Sequence, residues 1–453
     1  MRGLRTTIAL IVVLGGLFAY IYFVTWKQPV EGQGPKQEKV FASVDADKID
    51  ELRVKSESGD TTTLKKDKDG WHLVEPVATA AADSEVSGIT SALSQLEIAR
   101  VVDDKPANLN DYGLASPRIE IDFKAAGDKD FRHLFIGQKS PTGNNLFAKR
   151  NAEPRIFLIP AFQEQTLNRK TFDLRDKAAL RFDRDKVDRI EIDAAGKTLE
   201  FAKTGNDWKL TKPLQAASDF SAVEGLVGRV MSAQMKSIVA DNASQADLKK
   251  YGLDKPGITL TLSLGSAKAA LLLGGKADGG SIYARDASKP LVMTLDGALA
   301  DELRKGADEY RRKDLFAFRA YDANRLEITR GGQTVAFDKV KGTGAAAEDK
   351  WQRAGAKPPD VSKEVDKEKM SVFLAKLESI RATTFVDSAA KTGLDSPVMT
   401  VYAKFDDGKK EERVAFGKAG DMVYASRAGE PGAAKVSPTE FDEIVKHLDE
   451  LAK

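Results

Sequence analysis

The sequence predicts an α+β fold: an N-terminal transmembrane helix followed by three tandem α+β repeats, each a mostly antiparallel sheet with two helices. Three observations predict it. The cassette Tyr112-Gly113-Leu114-Ala115-Ser116-Pro117 returns as Tyr251-Gly252-Leu253-Asp254-Lys255-Pro256 and again as Thr392-Gly393-Leu394-Asp395-Ser396-Pro397. Each copy is followed by alternating apolar residues, the period of a half-buried strand. An uncharged run of 21 residues, Thr6 to Trp26, stands near the amino terminus.

The cassette has a direct physical reading. A Gly followed by an apolar residue ends a helix in a Schellman motif, with the Gly in the left-handed region. Leu114 then meets Leu109, and Leu253 meets Leu248; in the third copy Leu394 meets only Ala389, a weaker cap. The Pro four residues after each Gly blocks helix restart and favours extended chain before it. Each cassette therefore reads as short helix, sharp stop, strand.

Taken in order, the chain begins with Arg2 and Arg5 ahead of the apolar run. A helix of about 20 apolar residues spans a bilayer core, and flanking positive charge keeps its end in the cytoplasm. Residues 1–27 are thus expected to be an anchor held in the inner membrane through residues 6–26. The chain is expected to be single-pass, with its amino terminus cytoplasmic and its bulk extracytoplasmic. A cleaved signal peptide fits less well, because the run ends in bulky Tyr22-Phe23-Val24. Residues 28–40 read as a linker.

The repeats are expected at 41–180, 181–320 and 321–453, with matching landmarks 136 to 143 residues apart. That is a domain-sized period, not a solenoid period. Each opens with a strand: Ile49 to Val54, Val187 to Ile192, and Arg325 to Ile328. A second strand and a Trp follow, at Trp71, Trp208 and Trp351; the first two Trp strands end at Pro76 and Pro213. Next comes an amphipathic helix with Val86, Ile89, Leu93 and Leu96 on one face. Val223, Leu226, Val227 and Val230 match them in the second copy, and Phe373, Leu374, Leu377 and Ile380 in the third. After the cassette strand, an apolar strand ends in Gly137, Gly274 or Gly417, with a Lys close behind. A short strand then carries Arg150, Arg285 or Arg427. The closing helix of the third copy opens with the capping box Ser437-Pro438-Thr439-Glu440. Turn-rich links such as Gly59-Asp60 and Asp406-Asp407-Gly408 suit antiparallel hairpins. The stretch 341–369 reads as a mobile surface insert.

Composition and motifs exclude several functions. The formal net charge is +2, with acids and bases interspersed, so no nucleic-acid partner is expected. There is no Cys, hence no disulfide, thiol nucleophile or Cys-ligated metal. His72, His133 and His447 lack metal-motif spacing and are expected to be structural or solvated. Gly137-Gln138-Lys139-Ser140-Pro141-Thr142-Gly143 departs from the phosphate-loop order, and Gly274-Gly275-Lys276 departs from a dinucleotide fingerprint. Both read as strand-ending turns. The three Trp read as buried anchors. Arg150, Arg285 and Arg427 could bind an anionic group, but a solvated strand edge is the preferred reading. No catalytic, cofactor-binding or metal residue is assigned, and no cofactor is expected.

The Tyr-Gly-Leu-x-x-Pro cassette, the single N-terminal span and the Trp-x-Leu-x-x-Pro strand together resemble the bacterial DUF4340 family, a domain of unknown function. The resemblance covers residues 5 to 453. Members are often encoded beside gliding-motility-type ABC transporter components. The resemblance therefore implies an accessory role with such a transporter. With the anchor, the tandem copies and no catalytic constellation, a non-enzymatic envelope scaffold protein is expected, its partner an ABC transporter component. A cell-wall or lipid ligand-binding module is the alternative, and a hydrolase with a dispersed site ranks third.

Overall fold

The computed structural model describes residues 38–342, 348–354 and 364–452, together with Gly16, Phe18 and Tyr22. It divides into two compact units, Met1–Lys177 and Ala178–Lys453.

In the first unit, β1 (Ile49–Lys55), β2 (Thr61–Asp67), β3 (Gly70–Glu75) and β4 (Thr79–Ala80) form a meander. Helix α1 (Asp83–Gln95) follows, then β5 (Arg100–Asp103), β6 (Ile119–Ala125), β7 (Arg132–Lys139), β8 (Asn145–Arg150) and β9 (Ile156–Pro160). All nine strands make one sheet in the order β4-β3-β2-β1-β6-β7-β8-β9-β5. Helices α2 (Gln163–Leu167) and α3 (Thr171–Leu174) close the unit. Alternation decides which face is buried: Ile119, Ile121 and Phe123 on β6 point inward. They join Val86, Ile89 and Leu93 of α1 in one core with Leu52, Leu64 and Trp71.

The second unit repeats this plan twice. Its first sheet runs through β10 (Arg189–Ala194), β11 (Lys197–Thr204), β12 (Asp207–Lys212) and β13 (Ala216–Ala217). After helix α4 (Phe220–Ser232) come β14 (Ser237–Ala240), helix α5 (Gln245–Lys250) and β15 (Ile258–Leu264). Then follow β16 (Ala267–Ala277), β17 (Ser281–Asp286), β18 (Val292–Asp296) and helix α6 (Gly297–Leu303). The order, β13-β12-β11-β10-β15-β16-β17-β18-β14, is that of the first unit. Its last sheet uses β19 (Ala323–Arg330), β20 (Gln333–Val340), β21 (Lys350–Ala354), helix α7 (Lys367–Ser379) and β22 (Ala382–Val386). It continues with β23 (Met399–Phe405), β24 (Lys410–Ala419), β25 (Met422–Arg427), β26 (Ala433–Val436) and helix α8 (Pro438–Ala452). The order is β21-β20-β19-β23-β24-β25-β26-β22; among the described residues it lacks a counterpart of β4 and β13. Sheet order and motifs together establish a repeated domain.

Two expectations are corrected. The α+β fold class led by a transmembrane helix gives way to a chain of mostly antiparallel sheet, with no membrane-spanning helix among the described residues. The second helix expected on each sheet shrinks in the first repeat to one or two turns, in α2 and α3. The cassette helix is a single 3-10 turn at Leu109–Tyr112, or the six residues of α5.

Among the described residues no helix is long and apolar enough to cross a membrane. The longest, α8, has 15 residues and is charged along one side, short of the about 20 apolar residues a span needs. The expected single-pass inner-membrane anchor is therefore not supported by the described residues. Apart from Gly16, Phe18 and Tyr22, the run 6–26 lies outside the described residues, as do residues 343–347 and 355–363 of the insert expected to be mobile.

Candidate functional site

The cassettes fold as their sequence dictates. Gly113 has φ 67° and Gly252 φ 70°, the left-handed conformation that costs Gly nothing. The N–H of Leu114 donates to the Leu109 carbonyl at 3.0 Å and that of Gly113 to Asn110 at 3.0 Å; Leu253 donates to Leu248 at 2.7 Å and Gly252 to Lys249 at 3.2 Å. This is the Schellman pattern. In the third copy Lys391 also has positive φ, and the Thr392 hydroxyl donates to the Ala389 carbonyl. A turn replaces the helix there.

Each cassette packs on a glycine of the apolar strand. An added Cβ on Gly137, Gly274 or Gly417 would fall under 3.0 Å from the carbonyl oxygen of Tyr112, Tyr251 or Thr392 respectively. In the second repeat the contact is closed by Gly275 N–H donating to the Tyr251 carbonyl at 2.8 Å. The residues Gly137 to Gly143 thus serve a backbone crossing, and the loop leads into strand β8 rather than a helix. Lys139, two residues on, pairs with Glu164 at 2.9 Å. Glu164 is also gripped by Arg118 at 2.5 Å. Burial pushes the Glu164 carboxyl up, but its hydrogen bonds from Lys139 and Arg118 outweigh this and hold it below the ordinary range.

Arg150 and Arg427 do not lie on a solvated strand edge. Strands β8 and β25 are interior, each flanked on both sides, and the two side chains are 19% and 8% exposed. Each clasps the segment that leads into its own repeat. Arg150 donates to the Lys39 carbonyl at 3.4 Å and to the Val40 carbonyl, and to Glu153 at 3.0 Å. Arg427 donates to the Asp314 and Arg312 carbonyls at 3.1 and 3.0 Å, and pairs with Glu430 at 2.9 Å. The ladder aligns Arg150 with Leu134, Arg427 with Val414 and, in the middle repeat, Asp286 with Leu271. Asp286 pairs with Lys289 at 3.5 Å. The pair of opposite charges three residues apart thus recurs with its signs reversed in the second repeat, where Asp286 accepts from the Ser288 N–H and hydroxyl. Arg285, the residue singled out from sequence, lies one register position away and donates to the Lys289 carbonyl at 2.7 Å.

Within the second unit, Arg427 is the centre of a charged cluster. Arg311 is 2% exposed, sits 3.8 Å over the Phe385 ring and lies 4.0 Å from Glu430. Glu430 also accepts the Ala217 N–H at 3.2 Å. Glu412 accepts the N–H groups of Ala317 and Phe318 at 2.9 and 3.1 Å. Burial, together with the charges of Arg312 and Arg311, pushes the Arg427 guanidinium down to about 10 against the pull of Glu430. Burial likewise raises Glu412, opposed by its two backbone hydrogen bonds. Beside this cluster a polar cavity of about 390 Å³ is lined by Arg312, Tyr402, Glu411, Glu412 and Arg413.

The remaining candidates are dispersed. His72 contacts Asp67 at 3.2 Å, His133 contacts Asp122 at 2.7 Å, and His447 contacts Glu450 at 3.2 Å. The three lie in separate places, and among the described residues no cluster of His, Asp and Glu could hold a metal ion. Trp71, Trp208 and Trp351 are buried, and Trp208 Nε1 donates to Glu224 at 2.9 Å. The clasp and the Arg311 cluster were missed in the sequence. Their one visible signal was the charge three residues after the strand Arg, Glu153 and Glu430.

A family model described as "Domain of unknown function (DUF4340)" matches residues 71–215 and again residues 208–397. Each match begins at a Trp, in β3 and then in β12, and runs through the rest of its sheet into the following repeat. A search of curated proteins finds no match. The two matches together span residues 71–397, well over half of the 453 residues, and so the chain belongs to the DUF4340 family.

Proposed function

We propose that this protein is a non-enzymatic accessory protein whose repeated sheets bind or position a protein partner in an ABC-transporter-linked assembly. One observation carries the reading. The buried charged groups fasten backbone: Arg150 and Arg427, at matching positions of the first and third repeats, hold lead-in carbonyls, and Glu412 holds two N–H groups. Such groups stiffen a scaffold; a catalytic group has to stay available to a substrate. Co-expression of the full chain with the subunits of a gliding-motility-type ABC transporter, followed by size-exclusion chromatography, tests it. A stable complex is expected; elution of the chain apart from every subunit contradicts it.

A second reading, a module for a cell-wall or lipid ligand, is favoured by the polar cavity at Arg312, Tyr402 and Arg413. Native mass spectrometry of the purified chain distinguishes the two: a retained small ligand supports the second reading, and a bare chain that still binds the transporter supports the first.

A further inference from the structure

We propose that the crevice at Arg311, beside the last sheet of the second unit, is a binding site for a halide-sized monovalent anion. The side chain of Arg311 is 97% buried, yet its Nε and Nη1 are buried atoms without a hydrogen-bond partner. Buried N–H donors are almost always satisfied, and an orphan on a charged group implies a water or an ion beside it. Desolvating a guanidinium without a close partner is costly. The neighbouring acids do not supply that partner. Glu430 is 4.0 Å from Nη2 and already serves Arg427 and the Ala217 N–H. Asp308 stands 3.7 Å from Nη1 and is more than half exposed. Asp314 faces Arg381 at 2.8 Å. Glu412 gives its oxygens to Ala317 and Phe318.

Size and charge select the ligand. The crevice, lined by Arg311, Phe385, Ser426, Arg427 and Glu430, has about 10 Å³ of room for a water-sized particle. A single water needs at least about 10 Å³, so the space suits one small particle. Two arginines, Arg311 and Arg427, line it. A monatomic anion accepts from Arg311 and relieves the repulsion between Arg311 and Arg427. It thereby holds the lead-in of the third repeat against its sheet.

The test compares thermal unfolding of the full chain in sodium chloride and in sodium gluconate at equal ionic strength, gluconate being too large to enter. The midpoint is expected to rise with chloride by several degrees and then saturate, as a ligand of the folded state requires. Arg311→Met, which keeps the packing on Phe385, is expected to lose the chloride response. Crystals of the unaltered protein grown in bromide provide a measurement independent of that variant's folding, with an anomalous peak expected beside Arg311. Equal midpoints in the two salts, a response surviving unchanged in R311M, or a crevice without bromide would overturn the proposal.

Discussion

A Cβ placed on Gly137 would lie under 3.0 Å from the carbonyl oxygen of Tyr112. Two backbones cross there without room for a methyl group, and the crossing recurs at Gly274 with Tyr251 and at Gly417 with Thr392. It ties the cassette to the sheet. In the first two repeats the β7–β8 and β16–β17 ladders shift register just past this glycine.

Gly137→Ala is therefore expected to destabilise the first unit by about 2–3 kcal/mol, the cost of overpacking a rigid site. Gly228→Ala is expected to do the opposite. Gly228 lies inside α4 with nothing within 4 Å of an added Cβ, and replacing a mid-helix Gly gains about 0.5–1 kcal/mol. Chemical denaturation of both variants checks the pair; the same sign for both would contradict the crossing.

Glu412→Ala strips the N–H groups of Ala317 and Phe318 of their acceptor and is expected to cost about 1–3 kcal/mol. Glu412→Gln, which keeps one carbonyl oxygen, is expected to cost less. The order of the two unfolding midpoints is the readout.

Glu200 governs an acid-sensitive step. Its carboxylate is held below the ordinary range by the hydrogen bond from Lys212, which outweighs the opposing effect of burial, with Thr211 and Arg189 adding to it. Lys212 is at 2.8 Å, Arg189 at 2.9 Å and Thr211 at 2.8 Å. Because the folded state releases this proton more readily than the unfolded chain, the stabilisation is present above the ordinary Glu value of about 4.5. It is lost as pH falls through the lower folded value. Unfolding midpoints measured between pH 7 and pH 3 are expected to show Glu200→Gln less stable than wild type at pH 7, with the gap closing at pH 3.

Much of this fold was legible because local rules decided it. Gly113 and Gly252 announced left-handed caps, and Leu114 and Leu253 announced the bonds to Leu109 and Leu248. The alternation of Ile119, Ile121 and Phe123 gave the buried face. What depended on distant pairing was not legible. Residues Arg100–Asp103, Ser237–Ala240 and Ala382–Val386 carried no strand signal, yet each pairs with the last strand of its sheet. That return makes β9, β18 and β26 interior, and β8, β17 and β25 are interior because those strands cover them. An Arg on such a strand cannot be the edge residue its sequence suggested. The leader read as a membrane span lies, apart from Gly16, Phe18 and Tyr22, outside the described residues, and no described helix is long and apolar enough to cross a membrane.

The most direct test of the claim that the recurring charges fasten the chain is hydrogen exchange at the amides of Arg312 and Leu315 in Arg427→Met. These amides donate to the Ala217 and Ile380 carbonyls at 2.9 and 3.2 Å, and Arg427 holds the carbonyls of Arg312 and Asp314 beside them. Loss of protection in that lead-in segment, with exchange in β10, β11 and β12 unchanged, is the predicted result. Protection at Arg312 and Leu315 equal to that of the unaltered protein would contradict it.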